Sequence, residues 1–354
     1  MAETREDATS SEMRHDWLAD RWVIMAPQRS ARPSDYVIAP PRELDNTNCP
    51  FCAGHEDWTP TAVQSYSTQS SCGTTKWNVR VVPNKFPAVN SALKGLVEIP
   101  KCALPAEAID ASINLFQRRD LSGGHEVIVE SPQHLHSISQ LDRQAAQLVF
   151  TAYRDRLGYW LDERGLAYGV VFKNVGADAG ASLVHTHSQL IATDILPADV
   201  ARATERMELF MTKESACLFC RMAEDELEQK VRLVERTADF VAFCPFASRF
   251  PSMVTILPTE HESRFQTLTE SKLAQLSWLT HRLVRRIEHC FPDAAYNFII
   301  HTSPNRPRRP ESIHWRIELF PRITKVAGFE WGSDCYINPL APESAAAALR
   351  KVNV

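Results

Sequence analysis

The spacing of apolar positions predicts three helices and several short strands. Leu141 to Glu163 carries apolar side chains at Leu141, Ala145, Leu148, Val149, Ala152, Tyr153, Leu157 and Trp160, close to the spacing of one helical face. Ser139 or Asp142 suits its N-terminal cap. Thr269 to Cys290 repeats the pattern with Leu273, Leu276, Leu279, Leu283, Val284 and Ile287. A more polar helix is expected from Ala198 to Lys213. Tyr168 to Asn174, Val254 to Leu257 and Tyr296 to His301 read as strands, as does a run ending at Pro132-Gln133-His134.

These features occur twice in the same order. A Cys-x-x-Cys pair, a strand followed by a histidine, a long helix, a second strand, a loop and a last histidine motif appear in each half. The first half has Cys49/Cys52, His134 and His185-Thr186-His187-Ser188-Gln189. The second has Cys217/Cys220, His261 and His314-Trp315-Arg316-Ile317-Glu318. The boundary is expected near Leu196-Pro197, giving halves of residues 14–196 and 197–354. Residues 1–13, polar and acidic, are expected to form a disordered tail. Strands, one long helix and more strands in each half predict an α+β fold of two tandem repeats, with antiparallel sheets and packed helices.

Composition narrows the function classes. With 354 residues, 44% hydrophobic and 23% charged, the chain is an ordinary globular sequence with material for a sizeable core. A net charge of −4 gives no general electrostatic case for nucleic acid or an anionic membrane. No apolar run approaches a membrane span and the N-terminus has no apolar leader core, so a cytoplasmic protein is expected. Of nine cysteines, two pairs stand at metal-ligand spacing. Cys72, Cys102, Cys244, Cys290 and Cys335 read as small buried or half-buried residues.

In a strand, His185, His187 and Gln189 share one face. The loop before them, Val175 to Ser182, is rich in small residues, which lets backbone amides approach a phosphate. A neutral imidazole offers a nucleophilic nitrogen near neutral pH, and attack on phosphorus splits a transfer into two steps. Gln189 and Ser182 suit phosphate oxygens as charge rearranges. Composition alone leaves a competing reading open, in which both histidines bind one metal. A mixed arrangement fits the chain better: Cys49, Cys52 and His134 supply three ligands, His185 closes a four-ligand set, and His187 stays free.

The string His185-Thr186-His187-Ser188-Gln189, following Asn174 and Gly180-Ala181-Ser182, resembles the galactose-1-phosphate uridylyltransferase family of the histidine-triad superfamily. The resemblance runs from about Arg14 to the C-terminus. It implies two histidine-triad-like repeats, a metal-bound His185, a nucleophilic His187 and a phosphate-holding Gln189. It implies further that Cys49, Cys52 and His134 complete a zinc site, and that Asn174, Gly180 and Ser182 contact phosphate and ribose. Arg29 and Arg32 match an arginine pair near the substrate; Asn84, Lys85 and Phe86 match a nucleoside-binding stretch. A homodimer is the family expectation.

In the second half Arg316 stands at the nucleophile's place and Glu318 at the glutamine's. Arginine stays protonated, so this half is expected to be structural. Cys217, Cys220, His261 and His314 form a second four-ligand set suited to zinc, giving two ions per chain. The family's usual second site differs, and the run Gly328 to Pro339, like Ser188 after His187, is closer to the ADP-glucose phosphorylase branch. The implied activity is uridylyl transfer of the UDP-glucose:hexose-1-phosphate type. Its substrates are a nucleotide sugar and a sugar 1-phosphate or phosphate. The alternative is adenylyl transfer from ADP-glucose to inorganic phosphate. A non-catalytic zinc-dependent binding protein is a further reading, disfavoured by ligand sets interleaved with long core segments and by the acidic balance. A nucleotide hydrolase of the same superfamily is disfavoured by the two-repeat length and by Gln189.

Overall fold

The computed structural model describes residues 10–31, 46–67, 77–89, 115–116 and 118–354. Two N-terminal strands, β1 (Glu12–Asp16) and β2 (Arg21–Met25), precede the first half. That half contains β3 (Gln64–Tyr66), β4 (Val79–Pro83), β5 (Gly123–Val129), α1 (Arg143–Gly158), β6 (Tyr168–Val175) and β7 (His187–Thr193). Two helices, α2 (Ala198–Glu214) and α3 (Leu218–Gln229), lead into β8 (Leu233–Arg236), β9 (Phe240–Phe243) and β10 (Val254–Pro258). Then come α4 (Glu270–Cys290), β11 (Tyr296–His301) and β12 (Arg316–Pro321), followed by α5 (Gly328–Ser333), β13 (Tyr336–Asn338) and α6 (Pro342–Lys351).

Both halves build one sheet. Its ten strands run β3-β4-β5-β7-β6-β11-β12-β10-β9-β8, and every pairing in it is antiparallel. Counted inward from its own edge, the first half follows β3-β4-β5-β7-β6 and the second follows β8-β9-β10-β12-β11. The duplicated order of sequence features is thus matched by a duplicated path. The halves meet where β6 pairs with β11, from Tyr296 opposite Val175 to His301 opposite Val170.

Period-two alternation assigns each face of the sheet. Val79, Val81, Ile128, Val171, Leu190, Ile256, Phe298, Ile317 and Leu319 point into the main core, with Val149, Tyr153 and Leu157 of α1 and Leu276, Leu283 and Ile287 of α4. Both helices start where the sequence supplies a cap. Asp142 accepts from the Ala145 amide at 2.8 Å, and the Thr269 hydroxyl accepts from the Lys272 amide at 3.3 Å. The run expected to continue to Glu163 does so as a π-helical turn, Tyr159–Glu163. On the opposite face, α2 and α3 cover Val241, Phe243 and Leu257 of the second half. Over the first half the same face carries His187 and Gln189.

The N-terminal segment departs from the expected division. β1, β2 and β13 form a separate three-stranded sheet in which β2 and β13 pair in parallel. Arg14 bonds Glu343 at 2.9 Å, and the Arg206 guanidinium stands 4.0 Å over Trp17. Residues 14–25, grouped by chain order with the first half, pack against the second. Glu12 and Met13, expected in a disordered tail, lie in β1; residues 1–9 of that tail lie outside the described residues. Among the described residues, no helix is long and apolar enough to cross a membrane.

Candidate active site and metal clusters

Two clusters of Cys2His2 type form, one in each half. Cys49, Cys52, His134 and His185 bring their ligand atoms within 4.8 Å of one another, as do Cys217, Cys220, His261 and His314. The elements that place them correspond. The first histidine follows β5 or β10, and the second precedes β7 or β12. The cysteines sit in a tight turn, Cys52 N–H to Cys49 O, or at the start of α3, with Cys217 as its cap.

The donor geometry fits a tetrahedral ion. Thiolate bonds of about 2.3 Å and imidazole bonds of about 2.1 Å give S···N edges of roughly 3.6 Å. The first cluster has Sγ to Nδ1 distances of 3.4 Å (Cys49–His185), 3.3 Å (Cys52–His134) and 3.5 Å (Cys52–His185). The second has 3.4 Å (Cys220–His261), 3.5 Å (Cys220–His314) and 3.8 Å (Cys217–His314). Burial and the neighbouring Cys49 push the Cys52 thiol up to about 12, so this thiol ionises readily only with a cation beside its sulfur. His185 Nε2 donates to the Ser131 carbonyl at 2.9 Å, which leaves Nδ1 as the ligating atom. His314 Nε2 in the second cluster is buried without a hydrogen-bond partner.

His187 stands apart from the first cluster. Its Nδ1 donates to the His185 carbonyl at 2.7 Å, because a carbonyl only accepts. The lone pair therefore sits on Nε2. Burial pulls the imidazole below its ordinary pKa, which keeps that lone pair unprotonated. Phe51, between the two cysteines in sequence, packs its ring 5.1 Å from that of His187. His187 retains 8% exposure.

The strand expectation needs one correction. β7 begins at His187, so His185 lies just before it, and period two does not explain how the two rings are sorted. The sorting comes from the turn: Thr186 N–H bonds Leu135 O at 2.6 Å and Glu130 N–H bonds Thr186 O at 3.3 Å. These bonds draw residue 185 toward the cysteines.

Gln189 does follow the strand periodicity. It lies opposite Val127 of β5 and Phe172 of β6. His125 is a partner that the sequence reading did not single out. The Ala88 amide donates to His125 Nδ1 at 3.1 Å, so in the neutral ring Nε2–H donates to Gln189 Oε1 at 2.8 Å. Asn84 Nδ2 reaches the same oxygen at 3.4 Å. With Oε1 occupied, the Gln189 NH2 is the end left to donate elsewhere.

The other expected residues are placed as follows. Asn174, on β6, accepts from Asn297 Nδ2 at 2.9 Å. The loop beyond it turns through Gly176 at φ 82° and Gly180 at φ 88°, and a Cβ on Gly176 would lie 2.7 Å from the Ala295 methyl. Ser182, Lys85 and Phe86 are exposed. Arg29 is exposed on the short 3-10 turn Pro27–Ala31 after β2, and no described contact joins it to this cluster. Arg32 lies outside the described residues, as do Cys72 and Cys102. Two surface clefts, of about 560 and 500 Å³, are lined by residues outside the cluster.

The second half holds different chemistry at the matching place. Glu318 lies opposite Thr255 and Ile299, the register positions of Val127 and Phe172 around Gln189. Arg316 Nε donates to Glu318 at 2.9 Å and Arg249 reaches its other oxygen at 3.3 Å. The pair is closed upon itself, with a carboxylate where a phosphate would need a donor.

Comparison with known proteins matches this arrangement. Residues 1–197 match the galactose-1-phosphate uridyl transferase N-terminal domain. The chain is 31% identical to ADP-glucose phosphorylase of Arabidopsis thaliana over 349 residues, covering 98% of this chain and 94% of that protein. It belongs to the galactose-1-phosphate uridylyltransferase family. It is therefore an enzyme of the nucleotidyltransferase class. Members of the family similar to it include the galactose-1-phosphate uridylyltransferase of Thermotoga maritima, 23% identical over 97% of this chain and 99% of that one. The crystal structure of an Arabidopsis ADP-glucose phosphorylase with bound ADP-glucose aligns with a TM-score of 0.79 at 30% identity, covering 98% of this chain and all of the other. A solved uridylyltransferase shares the fold with a TM-score of 0.70 at 23% identity, over 96% and 98% of the two chains. Residues 105–351 also match a domain of unknown function, DUF4921.

Proposed function

We propose that the chain transfers a nucleoside monophosphate from a nucleotide sugar to a phosphorylated acceptor through a covalent nucleotidyl-His187. The observation that carries this reading is the division of labour between two nearby imidazoles. His185 turns Nδ1 into the cysteine cluster, and His187 ties Nδ1 to a carbonyl, leaving Nε2 unprotonated.

In the first step Nε2 of His187 attacks the α-phosphorus. The bond from that phosphorus to the bridging oxygen breaks, and sugar 1-phosphate leaves with the electron pair. In the second step an acceptor phosphate oxygen attacks the same phosphorus, the N–P bond breaks and the imidazole is restored neutral. Gln189, held at Oε1 by His125, turns its NH2 toward the phosphate oxygens as charge develops on them. Asn174, Gly180 and Ser182 are assigned to phosphate and ribose, and the Asn84–Phe86 turn to the nucleoside. Arg29 and Arg32, by the family resemblance, are assigned to substrate binding. Zinc suits both Cys2His2 clusters by donor type and edge length; bound there, it supplies rigid placement of the turns that carry His185 and His314.

Adenylyl transfer from ADP-glucose to inorganic phosphate is the reading favoured for substrates. It rests on the higher identity to ADP-glucose phosphorylase than to the Thermotoga uridylyltransferase, 31% against 23%. Uridylyl transfer to a hexose 1-phosphate, the first expectation from sequence, remains the second reading because the family match covers the catalytic half. We infer further a cytoplasmic homodimer.

The test is a matrix of donors and acceptors. ADP-glucose and UDP-glucose are each incubated with phosphate or galactose 1-phosphate, and glucose 1-phosphate release is followed. Turnover with ADP-glucose and phosphate supports the favoured reading, and turnover with UDP-glucose and galactose 1-phosphate supports the second. Release without any acceptor, at the same rate, would make the protein a hydrolase instead.

A further inference from the structure

Beneath the nucleophile's strand lies a buried ion pair that the proposed chemistry does not use. Glu130, just after β5, is 0% exposed, and Lys173, on the core side of β6, is 1% exposed. Lys173 Nζ has three protons and three acceptors: Glu130 Oε2 at 2.6 Å, Thr186 Oγ1 at 2.9 Å and the main-chain carbonyl of His187 at 3.0 Å. Glu130 Oε2 also accepts from Thr186 Oγ1 at 2.6 Å, while Oε1 accepts from Ser188 Oγ at 2.5 Å and Tyr153 OH at 2.7 Å.

The pair thus grips three consecutive residues: the side chain of Thr186, the carbonyl of His187 and the side chain of Ser188. Stability is a poor explanation for it. Desolvating two charges offsets most of their attraction, and apolar side chains of similar volume often stabilise a core as well or better. What apolar side chains lack is a donor for the His187 carbonyl. We propose that Glu130 and Lys173 are positioning residues for His187. They fix the main chain of residues 186–188 so that Nδ1–H meets the His185 carbonyl and Nε2 is presented to the phosphorus.

This inference rests on the nucleotidyl-transfer reading, and its test separates the two. Lys173→Met strands the Glu130 charge and lowers stability. The double variant Glu130→Gln/Lys173→Met buries no charge and recovers most of it. For each protein four quantities are measured: melting temperature, the Kd of ADP-glucose, the single-turnover rate of label transfer from its α-phosphate, and hydrogen exchange in the peptide covering residues 184–190. The double variant should melt well above Lys173→Met, short of the wild type by the cost of the undonated His187 carbonyl. It should bind ADP-glucose as the wild type does, yet take up label roughly 10- to 100-fold more slowly, the effect of a displaced nucleophile. Exchange should rise in that peptide and stay unchanged in α4. A labelling rate that returns with stability would show the pair to be structural only and overturn the proposal, as would exchange rising evenly across the chain. If wild type takes no label from ADP-glucose or UDP-glucose, the functional reading fails. The exchange pattern then decides by itself: a local rise supports the positioning network, and its absence overturns it.

Discussion

Replacing His125 with alanine should slow the chemical step chiefly through Gln189, with any loosening of the Asn84–Ala88 turn that it also contacts read separately in the Kd of the nucleotide sugar. His125 Nε2 is 2.8 Å from Gln189 Oε1, and the Ala88 amide at Nδ1 sets the ring's tautomer. Without the ring, the Gln189 amide keeps only the longer 3.4 Å contact from Asn84 and loses the bond that sets which end faces the phosphate. A neutral hydrogen bond is worth about 0.5–1.5 kcal/mol net. If that much is lost from the transition state, kcat falls roughly 2- to 12-fold. Gln189→Ala removes the donor itself, a loss of roughly 100- to 1,000-fold by analogy with oxyanion-hole deletions. The assay is a double-mutant cycle on single-turnover labelling. His125→Ala should cost little further in the rate of the labelling step in the Gln189→Ala background, because the amide it orients is already absent. Equal costs of His125→Ala in both backgrounds would refute the reasoning and give His125 an independent role.

Other consequences follow from the same geometry. Purified protein should contain two metal ions per chain by elemental analysis, and Cys52→Ala and Cys217→Ala should each lose one; stripping both with a chelator should lower the melting temperature steeply, since such sites couple binding to folding. A Cβ on Gly123 would lie 2.0 Å from the Ala192 carbonyl oxygen, backbone that cannot rotate away, so Gly123→Ala should destabilise by about 2 kcal/mol or more in chemical denaturation. Burial pushes the Glu343 carboxyl up, but Arg14 and Arg232 outweigh it and hold the group below its usual range. Its contribution is therefore present at neutral pH and lost as pH falls through the folded-state pKa; the melting-temperature gap between wild type and Glu343→Gln should close between about pH 5 and pH 3.

Much of this was legible in the residues because it is local. Strand β11 spans Tyr296–His301 as the apolar pattern predicts, and α4 runs Glu270–Cys290 behind its threonine cap. The two four-residue clusters assemble from the residues named in the sequence, the cysteine pairs by their spacing and the histidines by the four-ligand count and the family resemblance. What escaped is carried by distant pairings. Nothing in β6 or β11 singly announces that each is the other's partner, because both read as ordinary alternating strands. The parallel pairing of β2 with β13 joins residues more than 300 positions apart, and β13 has only three residues to signal it. His125 was hidden in a strand where a lone histidine carries no pattern. Glu130 and Lys173 read as interruptions of apolar runs, and their meaning appears only once β5, β6 and β7 lie side by side. An unexplained charge in a core strand was the available signal.

The central claim is that His187 alone, through its free Nε2, takes the nucleotide while its neighbour is held by the cysteine cluster. The most direct measurement is peptide mapping by mass spectrometry after brief exposure to ADP-glucose and, separately, UDP-glucose, with the protein kept in base to preserve a phosphoramidate. The account predicts a single nucleotidyl adduct on His187, absent in His187→Ala, with His185 unmodified. An adduct on any other residue, or one that persists in His187→Ala, would contradict it.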